Sequence, residues 1–143
     1  MKFWDSSAIL PLCVNEPTSP VLRKTLKADQ AMVVWWATRI ECTSALLRQA
    51  REEMLTPKGT DQARAVLKQL ADTWTEIHPT PVVREHAERL LSVHPLRTAD
   101  ALQLAAALTW SGHLPKNHYL VCLDHRLRDS AKKEGFSLLP AEF

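Results

Sequence analysis

Glycine occurs only three times in these 143 residues and tyrosine once. So few glycines leave little material for flexible linkers, and no repeat or low-complexity tract interrupts the chain, so residues 1–143 read as one domain. The three cysteines, Cys13, Cys42 and Cys122, stand far apart inside apolar runs, with neither a CxxC pair nor a Cys/His zinc spacing. They read as buried free thiols of a reducing compartment. No apolar run reaches the length of a membrane span. The opening Met1–Asp5 meets an acid too early for the apolar stretch of a signal peptide, and a cytoplasmic location is expected. The absence of GxGxxG and of a P-loop argues against the nucleotide folds built on those loops. Charge of one sign is scarce as well: 18 Lys and Arg oppose 16 Asp and Glu, for a net +2. That mild excess permits an anionic partner without demanding one. What is present is a 45% hydrophobic content, ordinary for a globular chain and sufficient for a core.

The apolar runs alternate with helical patterns. Lys2-Phe3-Trp4 is a short strand that stops at Asp5. Ser6 and Ser7 open a helix over Ala8–Val14, with Pro11 placed near its first turn. Thr18-Ser19-Pro20 starts a second helix that runs to about Ala28. Ala31–Trp35 is an uninterrupted apolar run of strand length, as expected of a strand buried on both faces. A helix follows from Ala37 to about Met54 and breaks at Thr56-Pro57-Lys58-Gly59. Ala63, Val66, Leu67, Leu70, Trp74 and Ile77 step by three and four, which predicts one amphipathic helix across all of them. Another helix spans about Val82–Val93. Leu96–Leu108 is apolar nearly all round and therefore central. Tyr119–Leu123 is a strand stopping at Asp124, His125–Glu134 a short basic helix closed by Gly135, and Phe136–Leu139 a last strand. Strands separated by helices imply a three-layer α/β/α sandwich around a central, mainly parallel sheet of about four to five strands.

Four acids stand out in this frame: Asp5, Glu41, Asp100 and Asp124. Asp5 and Asp124 each follow a strand directly, and open parallel sheets bind ligands beyond the carboxyl ends of their strands. Asp100 opens the central helix, and Glu41 lies early in the helix after the second strand. Each has a plainer reading, since acids at helix starts cap them and favour the dipole. For Asp100, Arg97 is an available ion-pair partner. Ala37, Thr38, Ser44 and Ala45, a turn either side of Glu41, leave room for something to approach it. If the four converge, like charges at close range oppose full ionisation, and a hard divalent cation, Mg²⁺ or Mn²⁺, resolves the conflict.

The stretches Asp5-Ser6-Ser7-Ala8, Arg39-Ile40-Glu41-Cys42-Thr43-Ser44-Ala45-Leu46, Leu96-Arg97-Thr98-Ala99-Asp100-Ala101-Leu102-Gln103-Leu104-Ala105 and Leu123-Asp124-His125-Arg126-Leu127 occur in that order over essentially the whole chain. With them the chain resembles a PIN-domain ribonuclease, the VapC-type toxin of bacterial and archaeal toxin–antitoxin pairs. The resemblance implies a metal-dependent endoribonuclease leaving a 5′-phosphate and a 3′-hydroxyl. Asp5 and Asp100 would be the main metal ligands, with Glu41 and Asp124 completing the pocket directly or through water. Ser7 matches the hydroxyl beside the first acid, and Thr98 belongs to the supporting set. Where many relatives carry Thr or Ser two residues before the fourth acid, this chain has Cys122, a poor hydrogen-bond partner. A small antitoxin protein and a second copy of the chain are the partners the resemblance implies. An antitoxin helix would fit the apolar first helices, with Leu10, Leu12, Val14, Leu22 and Leu26, or place a basic side chain in the acid pocket.

RNA requires cations beside such a pocket. Arg39, Arg97, Arg126 and Arg128 are the leading candidates, with Arg48, Lys132 and Lys133 behind them. Trp35 and Trp36 read as a strand end at the core edge, with base stacking as the alternative. The six histidines share no ligand spacing and read as surface or turn residues. Two other readings stay open: a DNA nuclease, and a non-catalytic module that uses the same fold to bind RNA or protein. A phosphatase needing a second acid two residues after Asp5 is disfavoured, because Ser7 stands there.

Overall fold

The structure, a computed structural model, describes all 143 residues. Its elements are β1 (Lys2–Trp4), α1 (Ser6–Cys13), α2 (Ser19–Ala28), β2 (Met32–Trp35), α3 (Thr38–Arg51), α4 (Pro57–Ala71), β3 (Thr75–Ile77), α5 (Pro81–Val93), α6 (Thr98–Trp110), β4 (Tyr119–Val121), α7 (His125–Glu134) and β5 (Ser137–Leu139). The five strands form one sheet in the order β3-β2-β1-β4-β5, and every pairing is parallel. β1 is central, with Phe3 in register with Val33 on one side and Leu120 on the other. The chain builds outward from β1 to β3, then returns to add β4 and β5 on the opposite side. The strand order therefore reverses beside β1, and open sheets leave a crevice at such a point.

Alternation along the strands divides the core between two faces. Phe3, Val33, Trp35, Leu120 and Cys122 pack with Leu104, Leu108, Leu90 and Leu127 from α5, α6 and α7. Trp4, Met32, Val34 and Val121 face the other way, onto Ile9, Leu22, Leu46 and Leu67 from α1 to α4. With helices on both faces the three-layer arrangement is complete. α6 is the central helix: Ala101 and every residue from Gln103 to Leu108 are buried.

Two sequence expectations need correction. The helix drawn through Ala63 to Ile77 ends at Ala71, and Thr75–Ile77 form β3, paired with Val33, Val34 and Trp35. Trp74 and Ile77 continue the helical spacing by coincidence. Trp74 is buried as the chain turns into an edge strand whose first residue is exposed. Helix α1 begins two residues earlier than expected because Asp5 caps it, so Pro11 sits in its second turn, buried, rather than its first.

Leu104 is fully buried among both strands and helices of its face. Leu104→Ala should lower unfolding stability by about 2–5 kcal/mol, read from urea denaturation. A loss below about 1 kcal/mol would show that α6 does not anchor the core.

Candidate functional site

Four elements deliver the acids to one place. Asp5 follows β1 and caps α1, its Oδ2 accepting from the Ser7 backbone N–H at 3.1 Å. Asp124 follows the segment after β4 and caps α7, its Oδ1 accepting from the Leu127 N–H at 2.9 Å. Glu41 lies in the first turn of α3 and Asp100 in the first turn of α6. All four line a single cavity of about 480 Å³ at the carboxyl edge of the sheet. Capping and pocket-lining are thus the same placement for Asp5 and Asp124, since a helix start beyond a parallel strand is where the crevice opens.

Each carboxylate is held differently. Asp5 is buried, and its Oδ2 also accepts from Ser7 Oγ at 2.5 Å and lies 3.6 Å from the Cys122 thiol. Ser7 Oγ in turn accepts from the Leu123 N–H at 2.9 Å, which locks the serine between β1 and the end of β4. Glu41 accepts from Ser6 Oγ at 3.1 Å on one oxygen and from Gln103 Nε2 at 3.2 Å on the other. Asp100 accepts no hydrogen bond from the protein. Asp5 Oδ1 and Asp124 Oδ2 are likewise without a protein donor. None of these free oxygens is sealed from solvent: the buried side-chain polar atoms without a partner are Trp4 Nε1 and Gln103 Oε1.

The electrostatics follow from this packing. Burial raises the Asp5 carboxyl above its ordinary range, against the pull of its Ser7 hydrogen bonds. Burial, and then the charge of Asp5, push Glu41 up to about 7. Asp100 is raised by burial and by the charges of Asp124 and Asp5, while Arg97 and Arg126 oppose the shift. The Arg97–Asp100 ion pair open to the sequence is not among the five that form.

No three His, Cys, Asp or Glu side chains gather tightly enough to encage an ion by themselves. The donor set is nonetheless all oxygen, and its unengaged atoms belong to Asp5, Asp100 and Asp124. Such a set suits a cation that keeps most of its water and takes one or two carboxylates, which is the habit of Mg²⁺.

The other sequence candidates scatter. Ser6, Ser7 and Arg48 line the acid cavity, as do Ala37, Ser44 and Ala45 around Glu41. Arg97 and Arg126 line a second cavity of about 450 Å³ with His125, and Asp100 and Asp124 form its shared wall with the first. Thr98 is on the exposed first turn of α6, lining neither cavity. Arg39 lies between α3 and α4, away from the acids. Arg128 is turned to the chain's end: it donates to the Cys122 carbonyl at 2.8 Å and the Leu139 carbonyl at 3.4 Å, and its guanidinium lies 5.0 Å from the Phe143 ring centre. Trp35 is 5% exposed and Trp36 45%, so only the second is free to meet a ligand. His94 departs from the surface assignment; it is buried and its Nε2 lies 2.8 Å from Glu134 Oε2. Gln103 and Ser6, the two donors to Glu41, are not among the site residues that the sequence predicts. Gln103 leaves a signal, as the one polar residue in the stretch Ala101–Leu108, which is otherwise Ala and Leu.

No family model matches the chain. It is 33% identical over 137 residues to Ribonuclease VapC46 of Mycobacterium tuberculosis, covering 96% of this chain and 95% of that protein. Ribonuclease VapC49 of the same species is 28% identical over 145 residues, covering 99% and 96%. Among solved structures, VapBC2 from Rickettsia felis, bound to a promoter DNA fragment, aligns with a TM-score of 0.68 at 10% identity, over 96% of both chains. FitAcB from Neisseria gonorrhoeae aligns with a TM-score of 0.67 at 15% identity, again over 96% of both. At those identities the structures share the fold and no more.

The raised carboxyls make a stability prediction. A raised acid binds its proton more tightly in the folded state, so the stability it allows is present at low pH. That stability is lost as pH climbs from the unfolded value, 4.5 for Glu41, through the folded value of about 7. The melting temperature of chelator-treated protein should therefore fall across that window, with Asp5 and Asp100 adding to the slope. Mg²⁺ should recover the loss above it. A melting temperature that rises through the same window would show that these carboxyls are not raised in the folded protein.

Proposed function

The chain belongs to the VapC ribonuclease family, and from that premise we propose that it is a Mg²⁺- or Mn²⁺-dependent endoribonuclease, the toxin of a toxin–antitoxin pair. The observation that carries the reading is the convergence of Asp5, Glu41, Asp100 and Asp124 on one solvent-reached cavity. The names of the sequence relatives support RNA cleavage, and the toxin–antitoxin complexes among structural neighbours, one of them from Klebsiella pneumoniae, support a protein antitoxin. We also carry forward the homodimer that the family resemblance implies.

The residues divide the work. Asp100 and Asp5 would hold the cation, through oxygens the protein leaves free, with Asp124 Oδ2 within the same pocket. When bound, such an ion supplies Lewis-acid offset of phosphoryl charge and lowers the pKa of water. Ser7 fixes the rotamer of Asp5 by two hydrogen bonds, so a ligand oxygen is pre-aimed rather than searched for. Glu41, pushed up to about 7 by burial, is placed to accept a proton from an attacking water. Arg97 and Arg126 would seat a phosphate on the far side of the Asp100–Asp124 wall, and Arg48 one on the near side. The acid floor with a cation on each side describes a track for a polyanion that crosses the site. Leu10 and the 62% exposed Ile40 give the pocket an apolar rim, against which an antitoxin segment carrying a basic side chain would fit.

Purified protein freed of antitoxin should cleave RNA with Mg²⁺ or Mn²⁺ and stop on chelation. Asp5→Asn and Asp100→Asn should each abolish cleavage while keeping the fold by circular dichroism, because asparagine retains the Asp5 cap. Activity equal to wild type in both variants would remove the metal-dependent reading, and cleavage of DNA alone would replace RNA as substrate. Arg97→Ala and Arg126→Ala should each weaken RNA binding and lower the log–log salt slope by about 0.7 for a single strand. An unchanged slope would take the second cavity out of the substrate path.

A further inference from the structure

Gln103 is completely buried in α6, and nothing in core packing asks for an amide there. Leucine would fill a similar volume in this Ala/Leu helix without desolvating a polar group. The amide spends both donor hydrogens across the α6–α3 gap, to Thr38 Oγ1 at 3.0 Å and Glu41 Oε1 at 3.2 Å. Its own Oε1 is buried with no partner. The orientation is dictated by the network, because the flipped amide would set an oxygen against the Glu41 carboxylate. The side chain thus satisfies two neighbours at the expense of its own acceptor.

Building on the nuclease reading, we propose that Gln103 is the positioning residue for Glu41. It acts with Ser6, which donates to the other Glu41 oxygen. The two donors come from opposite walls of the site. Ser6 stands next to Asp5 at the start of α1. Gln103 lies one turn after Asp100 on α6, so its helix carries a cation-binding acid as well. Held from both sides, the Glu41 carboxylate has its plane fixed relative to Asp5 and Asp100. The lone pairs left over are the ones open to a water in the cavity. Thr38, buried at the start of α3, receives the second amide hydrogen and stops the amide from turning away.

The test is a double-mutant cycle with Glu41→Gln, because a residue acting through Glu41 loses its effect once that carboxylate is gone. Gln103→Leu removes the donors and the orphaned acceptor together. It also leaves the buried Thr38 Oγ1 without its donor, so its melting temperature should fall somewhat and circular dichroism should show it folded at the assay temperature. Its KM for an RNA cleaved by wild type should stay within about twofold, and its kcat should fall about tenfold or more, within the range for a displaced catalytic group. Gln103→Glu, of the same shape, puts an acid against Glu41 and should lose at least as much. In the Glu41→Gln background, Gln103→Leu should cost nothing further. Equal losses in both backgrounds, or full kcat in Gln103→Leu, would overturn the proposal. A second reading is independent of activity. The Gln103 side-chain amide protons should exchange slowly in wild type, measured by NMR, and lose that protection in Glu41→Ala. Rapid exchange in wild type sinks the proposal even if RNA is cleaved. Slow exchange in a protein that cleaves no RNA would keep the hydrogen bond and remove the nuclease reading instead.

Discussion

The burial of acids at one edge of the sheet, with their repulsion added to it, is the constraint on which the site depends. The fold concentrates negative charge at the carboxyl edge of a parallel sheet, where burial makes ionised Asp5, Glu41 and Asp100 harder to sustain. No lysine or arginine closes an ion pair on any of the four acids, and Arg97 and Arg126 offset the charge of Asp100 only from a distance. Natural folds tolerate such frustration where a site needs it. Here the rest of the structure works to hold the arrangement. Ser6, Ser7 and Gln103 donate into it, two helices use its acids as caps, and the central helix is buried from Gln103 to Leu108.

Topology explains why one edge of the sheet receives all of this. β1 lies in the middle, its neighbours on either side are added in separate passes of the chain, and both β1 and the β4 segment end in an aspartate that turns the backbone into a helix. Helices α3 and α6 approach the same edge from opposite layers, bringing Glu41 from one face and Asp100 from the other. Four segments remote in sequence meet because the sheet gives their ends a common plane.

How much of this the chain itself discloses depends on burial. Strands covered on both faces appear as unbroken apolar runs, so Met32–Trp35 and Tyr119–Val121 were legible. β3 was not, because a three-residue edge strand of Thr75, Glu76 and Ile77 carries too little apolar signal to compete with the helical spacing that Trp74 and Ile77 happen to continue. The acids were legible because each stands where a strand ends or a helix begins. Their supporting donors were harder to see. The isolation of Gln103 is visible in sequence, but its partners lie 62 and 65 residues away. Arg128 and Arg126 look alike on paper; only the path of the last residues shows that one binds the carbonyls of Cys122 and Leu139 while the other borders the cavity beside Asp124. His94 similarly requires the end of α7 to come beside the end of α5 before Glu134 is within reach.

The double duty of Asp5 and Asp124 bears on how this protein would answer to genetics. An acid that closes a helix end and also faces the cavity ties two phenotypes to one codon. Alanine at either position strips an amide of its acceptor, at about 0.5–2 kcal/mol, as well as emptying part of the pocket. Under the proposed toxin activity, survivors of selection against the wild-type gene would then include chains degraded for poor folding alongside chains that fold and do nothing, with identical growth. Asp100, which caps nothing and takes no hydrogen bond, is the position where growth alone would report on chemistry.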